Sequence, residues 1–276
     1  LCSCSDWSAL PYIEFSAALH CNMNCRSCTH FSPLSEKRFY DFRMFYNDIQ
    51  RLRQLVARID IIRIMGGEPL LNPQLDDYIT LTRKAYPYSE IQLVTNGLLL
   101  KTMREGLIDA ILQNEIRIHI SFYPAIADGI EDVICFLEDR KLSYTVDSMI
   151  TRFAKVLSKE RIGNPFSPFK PVGCTCPNLF EGYMAVCPRV MFISDLNKTF
   201  NANYPDDGKI DLYDVTLTFE RLKERLKMAI PLCEYCRSYN YDYFGITDLW
   251  RQIGEEAKLE DWRFDDIKKG VGQGYD

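Results

Sequence analysis

Cys21-Asn22-Met23-Asn24-Cys25-Arg26-Ser27-Cys28 sets three thiols at x3 and x2 spacing, directly after an apolar run at residues 12–18 that reads as a strand. Soft thiolates select zinc or an iron-sulfur cluster. Zinc in a closed tetrahedral site asks for a fourth ligand nearby, and His30 is placed to be one; three thiolates would leave one iron of a 4Fe-4S cluster open. The spacing alone leaves both readings standing.

Downstream, short apolar runs alternate with amphipathic ones. Strands are expected at residues 59–65, 91–95, 116–122 and 144–146, and residues 153–157 are a candidate for a sixth. Between them, apolar residues recur at helical spacing: Phe42, Phe45, Ile49 and Leu52 in one stripe; Leu75, Tyr78 and Ile79 in the next; then Leu107, Ile108 and Ile111, and Ile130, Val133 and Leu137. This is the pattern of strand-helix units around a parallel sheet, an α/β class. The rhythm stops at the proline-rich residues 164–173, where a boundary is expected. Beyond it come a hairpin-like stretch at residues 182–187 and a helix near residues 218–228.

Composition narrows the function. A net charge of -5 and no run of Lys and Arg give no field for a polyphosphate backbone, so no nucleic acid partner is expected. No stretch of about 18 apolar residues is present and the start lacks a signal-peptide pattern, so no membrane partner and a cytoplasmic location are expected. Eleven cysteines in 276 residues are too sparse for a disulfide-dense module, and they cluster in a way that suits metal.

Three motifs follow the cysteine loop in order, each at a strand end. Gly66-Gly67-Glu68-Pro69 allows close backbone approach. Thr95-Asn96-Gly97 favours a positive-φ turn, and Ser121 ends the fourth strand. Ligand sites of parallel sheets gather at that edge. The set, over residues 12–123, resembles the radical S-adenosylmethionine (radical SAM) superfamily. That resemblance implies a partial (β/α)6 barrel over residues 11–163. It implies a 4Fe-4S cluster held by Cys21, Cys25 and Cys28 that binds S-adenosylmethionine, with contacts from Gly66, Gly67, Glu68, Pro69, Thr95, Asn96 and Ser121. Ser27 stands where the family usually carries an aromatic residue, so adenine packing is expected from His30 and Phe31.

Cys176, Cys187, Cys233 and Cys236 resemble the cysteine plan of a twitch subdomain, the short relative of SPASM, expected over residues 164–245 with a C-terminal tail at 246–276. The resemblance implies a second, auxiliary 4Fe-4S cluster on these four, with Cys174 as spare or as alternative to Cys176. Four thiolates at such spacings also suit structural zinc. Cys135 sits in a helix stripe and reads as packing; as a hydrogen donor it would make the enzyme an epimerase.

In size and cysteine layout the chain is similar to compact radical SAM dehydrogenases of aminocyclitols. This implies an oxidoreductase that dehydrogenates a small sugar- or cyclitol-like alcohol, with Asp147 and Arg152 as candidate catalytic residues and a flavodoxin or ferredoxin as electron donor. The alternative is a peptide-modifying enzyme; with only eleven residues before Tyr12, no leader-binding domain is expected ahead of the first strand.

Overall fold

β1 (Leu10–Ala18) pairs in parallel with β2 (Ile59–Gly66), Ile13 opposite Ile62 and Phe15 opposite Ile64, and this pair is the centre of a computed structural model that describes residues 9–163, 176–237 and 247–264. The expected boundary at 164–173 and Cys174 lie outside the described residues. α1 (Phe42–Leu55) connects the two strands, and Asp41 caps it by accepting from Met44 N at 2.9 Å. Its buried stripe of Phe45, Ile49 and Leu52 covers the sheet, with Phe15 edge-on to Phe45 at 5.5 Å. α2 (Leu75–Ala85), β3 (Glu90–Thr95), α3 (Glu105–Gln113), β4 (Arg117–Ile120), α4 (Ile130–Asp139) and β5 (Tyr144–Val146) repeat the unit, each strand parallel to the one before. β1 is buried on both faces, as parallel strands between two layers are, and even Glu14 and Ser16 are enclosed.

The expected sixth strand at residues 153–157 does not extend the sheet beyond β5. Two short strands form instead, β6 (Arg152–Ala154) and β7 (Leu157–Ser158), each in a separate two-stranded pairing. The sheet grows on the opposite side. β8 (Asn178–Phe180) lies parallel to β1, Glu14 opposite Asn178, and β9 (Tyr183–Ala185) returns antiparallel to β8. After α5 (Pro188–Phe200), β10 (Ile210–Asp211) closes that edge, and α6 (Phe219–Lys227) follows with Thr218 as its cap. The fold is therefore α/β, a partial barrel on a mixed eight-stranded sheet ordered β10-β9-β8-β1-β2-β3-β4-β5. The cysteine-bearing half joins that sheet directly. β11 (Thr247–Leu249) pairs with β6 and β12 (Arg263–Phe264) with β7.

A buried carboxylate holds the added strands to the first helix. Phe180 and Tyr183 are joined by Glu181 and Gly182, both at positive φ (44° and 81°), the two-residue turn that matches strand twist. At that turn Gly182 N donates to Asp48 of α1 at 2.7 Å. Asp48 also accepts from Tyr213 Oη at 2.6 Å and from the Tyr40 hydroxyl, and it is 2% exposed. Replacing it with alanine strands buried donors on both sides of the contact. Asp48→Ala is expected to lower unfolding free energy by about 3 kcal/mol, measured by chemical denaturation, with a normal fold in the surviving native population.

Candidate active site

Cys21, Cys25 and Cys28 line one cavity of about 400 Å³ at the carboxyl ends of the central strands. Asn24 (φ 50°) and Ser27 (φ 58°) each put a left-handed kink directly before a cysteine, which turns successive thiols toward the same space. Ser27 pays for that conformation with strain of order 1 kcal/mol; its hydroxyl donates to the Asp261 carbonyl at 2.8 Å. Burial above all pushes the Cys21 and Cys25 thiols up to about 12, so as bare thiols they stay protonated. Among the described residues no three His, Cys, Asp or Glu side chains converge on a single-ion position.

The glycine pair does its first work on the protein itself. A Cβ on Gly66 would lie 2.1 Å from Ala18 O, and one on Gly67 2.1 Å from His20 O. That closeness lets Gly67 N donate to Ala18 O (2.8 Å) and Glu68 N to His20 O (3.0 Å), locking the end of β2 to the start of the cysteine loop. Both glycines remain on the cavity wall; Glu68 and Pro69 do not. Glu68 is fully buried and accepts from Thr95 Oγ1 (2.8 Å), Asn96 N (2.9 Å) and Leu70 N (3.0 Å), so it braces β2 to β3 where a cofactor contact was expected. Burial outweighs these three donors and raises its carboxyl to about 7. Asn96 reaches back, donating to Asn22 Oδ1 at 2.7 Å and toward Cys21 Sγ at 3.6 Å.

Thr95, Asn96, Ser121 and Arg152 line the cavity, as does His30. Phe31 does not: at φ 52° it turns into the core, 1% exposed, against Trp262. Asp147 stands off the cavity wall, with its carboxylate 3.1 Å from His119 Nε2, while Thr145 Oγ1 meets His119 Nδ1 at 3.1 Å. Arg189, from the first turn of α5, and Tyr123 complete the wall; no local motif marks either one.

Residues 247–264 come back over the cysteine loop. Trp250 Nε1 donates to Cys25 Sγ at 3.2 Å and stacks on Tyr123 at 5.6 Å. Ile253 N donates to Asn24 O (2.8 Å), Gln252 Nε2 to Met23 O (2.7 Å), Arg251 O accepts from Arg26 N (3.0 Å), and Trp262 Nε1 donates to Cys28 O (3.0 Å). Arg26 pairs with Asp261 at 2.5 Å. Nothing in the local sequence announces this roof, since its contacts span more than two hundred residues.

Of the second cysteine group, Cys176 lies beside Glu14 and Cys187. Burial, then these two neighbours, push its thiol up to about 11. Cys233 and Cys236 stand on the turn Pro231–Tyr235 and its cap, where Cys236 N donates to Cys233 O at 3.2 Å.

Residues 17–123 match the model of the Radical SAM superfamily. This segment is a radical SAM domain. GTP 3',8-cyclase of Helicobacter pylori strain 26695 is 36% identical over 105 residues, which is 37% of this chain and 32% of that protein. The same enzyme from Clostridium acetobutylicum is 27% identical over 146 residues, 51% and 43% of the two chains. The chain thus spans about a third of the length of the curated relatives that head the comparison. Among solved structures, BtrN in complex with AdoMet and 2-DOIA superimposes with a TM-score of 0.53 at 17% identity, covering 83% of this chain and 93% of BtrN. That likeness extends the shared fold past the radical SAM domain into the C-terminal half.

The residues of the radical SAM domain fit a 4Fe-4S cluster. Three thiols line one cavity, a soft donor set of the kind that holds iron-sulfur clusters, and buried thiols are made thiolates by a metal. Beside them, Gly66, Gly67, Asn96 and Ser121 offer backbone and side-chain polar groups to a small polar cofactor.

Two outcomes are expected. A hydrogen bond to a cluster sulfur stabilises its reduced, more negative state. Trp250→Phe should therefore shift the midpoint potential of the reconstituted cluster to more negative values in a redox titration read by electron paramagnetic resonance. Because the folded Glu68 carboxyl sits above its ordinary 4.5, the folded state holds its proton more tightly, and its contribution to stability is lost as pH rises from about 4.5 through about 7. Glu68→Gln should flatten the fall in melting temperature of the apoprotein across that window.

Proposed function

We propose that the chain is a radical SAM oxidoreductase that dehydrogenates a small, sugar- or cyclitol-like alcohol. The observation that carries this reading is the position of the second thiol group. Cys176 lies beside Glu14 of β1, and Cys21 follows the end of the same strand, which keeps one thiol of the second group within reach of the first. Seven residues of extended strand and loop separate Glu14 from Cys21, at most roughly 25 Å.

A 4Fe-4S cluster held by Cys21, Cys25 and Cys28 together with S-adenosylmethionine would supply the abstraction of a hydrogen atom from carbon. An auxiliary 4Fe-4S cluster on Cys176, Cys187, Cys233 and Cys236, in a twitch-like arrangement, would take the second electron. The alcohol R2CHOH then becomes R2C=O by loss of that hydrogen atom, one electron and the hydroxyl proton. Arg152 and Arg189 on the cavity wall orient the oxygen end of the substrate, and the roof from Trp250 keeps water from the reacting centre. A flavodoxin or ferredoxin is the one-electron donor this chemistry asks for.

A second reading, cyclisation of a purine nucleotide, is supported by the GTP 3',8-cyclase relatives, although the likeness covers a third of their length. One experiment separates the two. Anaerobically reconstituted protein with S-adenosylmethionine and dithionite is given a cyclic polyol panel and, separately, GTP. Dehydrogenation predicts a ketone two mass units below one polyol, formed with one equivalent of 5'-deoxyadenosine. A product at the substrate's own oxidation level sinks it, and consumption of GTP to a cyclised isomer establishes the second reading.

A further inference from the structure

Among the described residues, two guanidinium groups and no carboxylate stand on the wall of the cavity that Cys21, Cys25 and Cys28 line. Arg152 comes from β6 and Arg189 from the first turn of α5. Arginine keeps its charge at any working pH, so the cavity presents fixed positive charge to whatever enters it. Glu68 and Asp147, at neighbouring strand ends, lie off that wall and are engaged elsewhere, the first by its three donors and the second by His119. S-adenosylmethionine does not balance the arginines, since its carboxylate is outnumbered by its ammonium and sulfonium centres.

The wall around Arg189 carries a second mark. α5 starts there with Pro188 in its first turn and no side chain capping it, so the positive end of the helix adds to the guanidinium. The segment after the cysteine loop runs beside the same helix: the His30 ring lies 5.7 Å from that of Phe192, and Ser35 Oγ donates to Asp195. Between those two anchors Ser32 lines the cavity, 2% exposed, and its Oγ has no hydrogen-bond partner. A buried hydroxyl of that kind, on a cavity wall, is a donor that a ligand oxygen can satisfy.

We propose that the substrate carries a phosphate group, held by Arg189 and Ser32 Oγ, with Arg152 as the second cation of the cavity. The inference rests on the small-alcohol reading above and narrows it to an alcohol that is also a phosphate ester.

The chemistry of these groups selects phosphate over other substrate ends. An ammonium is repelled by both guanidinium groups, and a neutral polyol gains little from fixed charge. A carboxylate offers its two oxygens in one plane, which suits one guanidinium fork. A phosphate monoester offers three oxygens in a tetrahedral array with more negative charge, so it can take a fork from Arg189, the Ser32 hydroxyl and the field of Arg152 together.

The test uses the oxidised, reconstituted holoenzyme with S-adenosylmethionine bound and inorganic phosphate as the probe, followed by the line width in phosphorus nuclear magnetic resonance. Wild type is expected to broaden the phosphate line saturably in the millimolar range. Arg189→Gln should weaken that binding about tenfold, the loss of a charge-assisted contact, while Arg189→Lys keeps most of it and Ser32→Ala weakens it about threefold. S-adenosylmethionine affinity, measured by calorimetry, is expected to be retained in Arg189→Gln. Iron content and melting temperature identify a variant that has failed to fold, and the wild-type titration needs no variant. Displacement of the bound phosphate by myo-inositol 1-phosphate supports a cyclic monoester as its source; displacement by GTP alone supports the same site with a nucleotide as the source. Absence of saturable binding to wild type, or unchanged binding in folded Arg189→Gln, overturns the inference. An equal loss of S-adenosylmethionine affinity in that variant also overturns it and assigns Arg189 to the cofactor carboxylate. Phosphate binding without ketone formation from a polyol phosphate leaves this inference standing and removes the dehydrogenase reading; a ketone from a neutral polyol with no phosphate binding does the reverse.

Discussion

Two carbonyls set the position of everything else in the site. Ala18 O and His20 O take the amides of Gly67 and Glu68, and they can do so because neither glycine carries a Cβ to occupy the space. This contact ends β1 and β2 at the same level and starts the cysteine loop from a fixed point. From there Glu68 passes the constraint to β3 through Thr95 and Asn96, and Asn96 returns it to the loop through Asn22. Three strand ends and a loop are thereby held in one frame by backbone groups, a single buried carboxylate and the Asn96 amide.

The fold uses buried carboxylates twice, for different purposes. Glu68 ties neighbouring strand ends at the top of the sheet. Asp48 ties the first helix to the hairpin and the loop that widen the sheet on its other side. Each accepts three donors, which is what allows an acid to sit in a core. Glu14 is the exception. It is as deeply placed, it faces an imidazole at non-bonding distance, and its second oxygen has no donor.

The central units are legible in the sequence because each strand is short, apolar and followed by a helix with a regular stripe, so period and position agree. The cysteine spacing, the glycine pair and the Thr95-Asn96 turn are likewise readable, because each is a local answer to a local backbone demand. Other features depend on partners far along the chain. Residues 153–157 carry the right apolar character for a strand, but nothing in them says that Thr247–Leu249 will claim them before β5 does. Phe31 reads as a ring for the cavity; its positive φ turns it instead toward Trp262. Glu68 reads as a polar residue of a ligand loop, and only the approach of β3 makes it an internal brace. The joining of β8 to β1 follows from tertiary packing that short strands of three residues cannot advertise.

The roof over the cysteine loop has a consequence for how the molecule is made. Trp250 is separated from Cys25 by 225 positions, so on the ribosome the three thiols emerge, and their strand can pair with its neighbour, long before the segment that covers them exists. Until those residues follow, the cysteine loop lacks the long-range contacts that brace it. Delivery of iron and sulfide has its widest access in that interval. In the finished molecule residues 247–264 hold that loop in place through hydrogen bonds to Met23, Asn24 and Cys28.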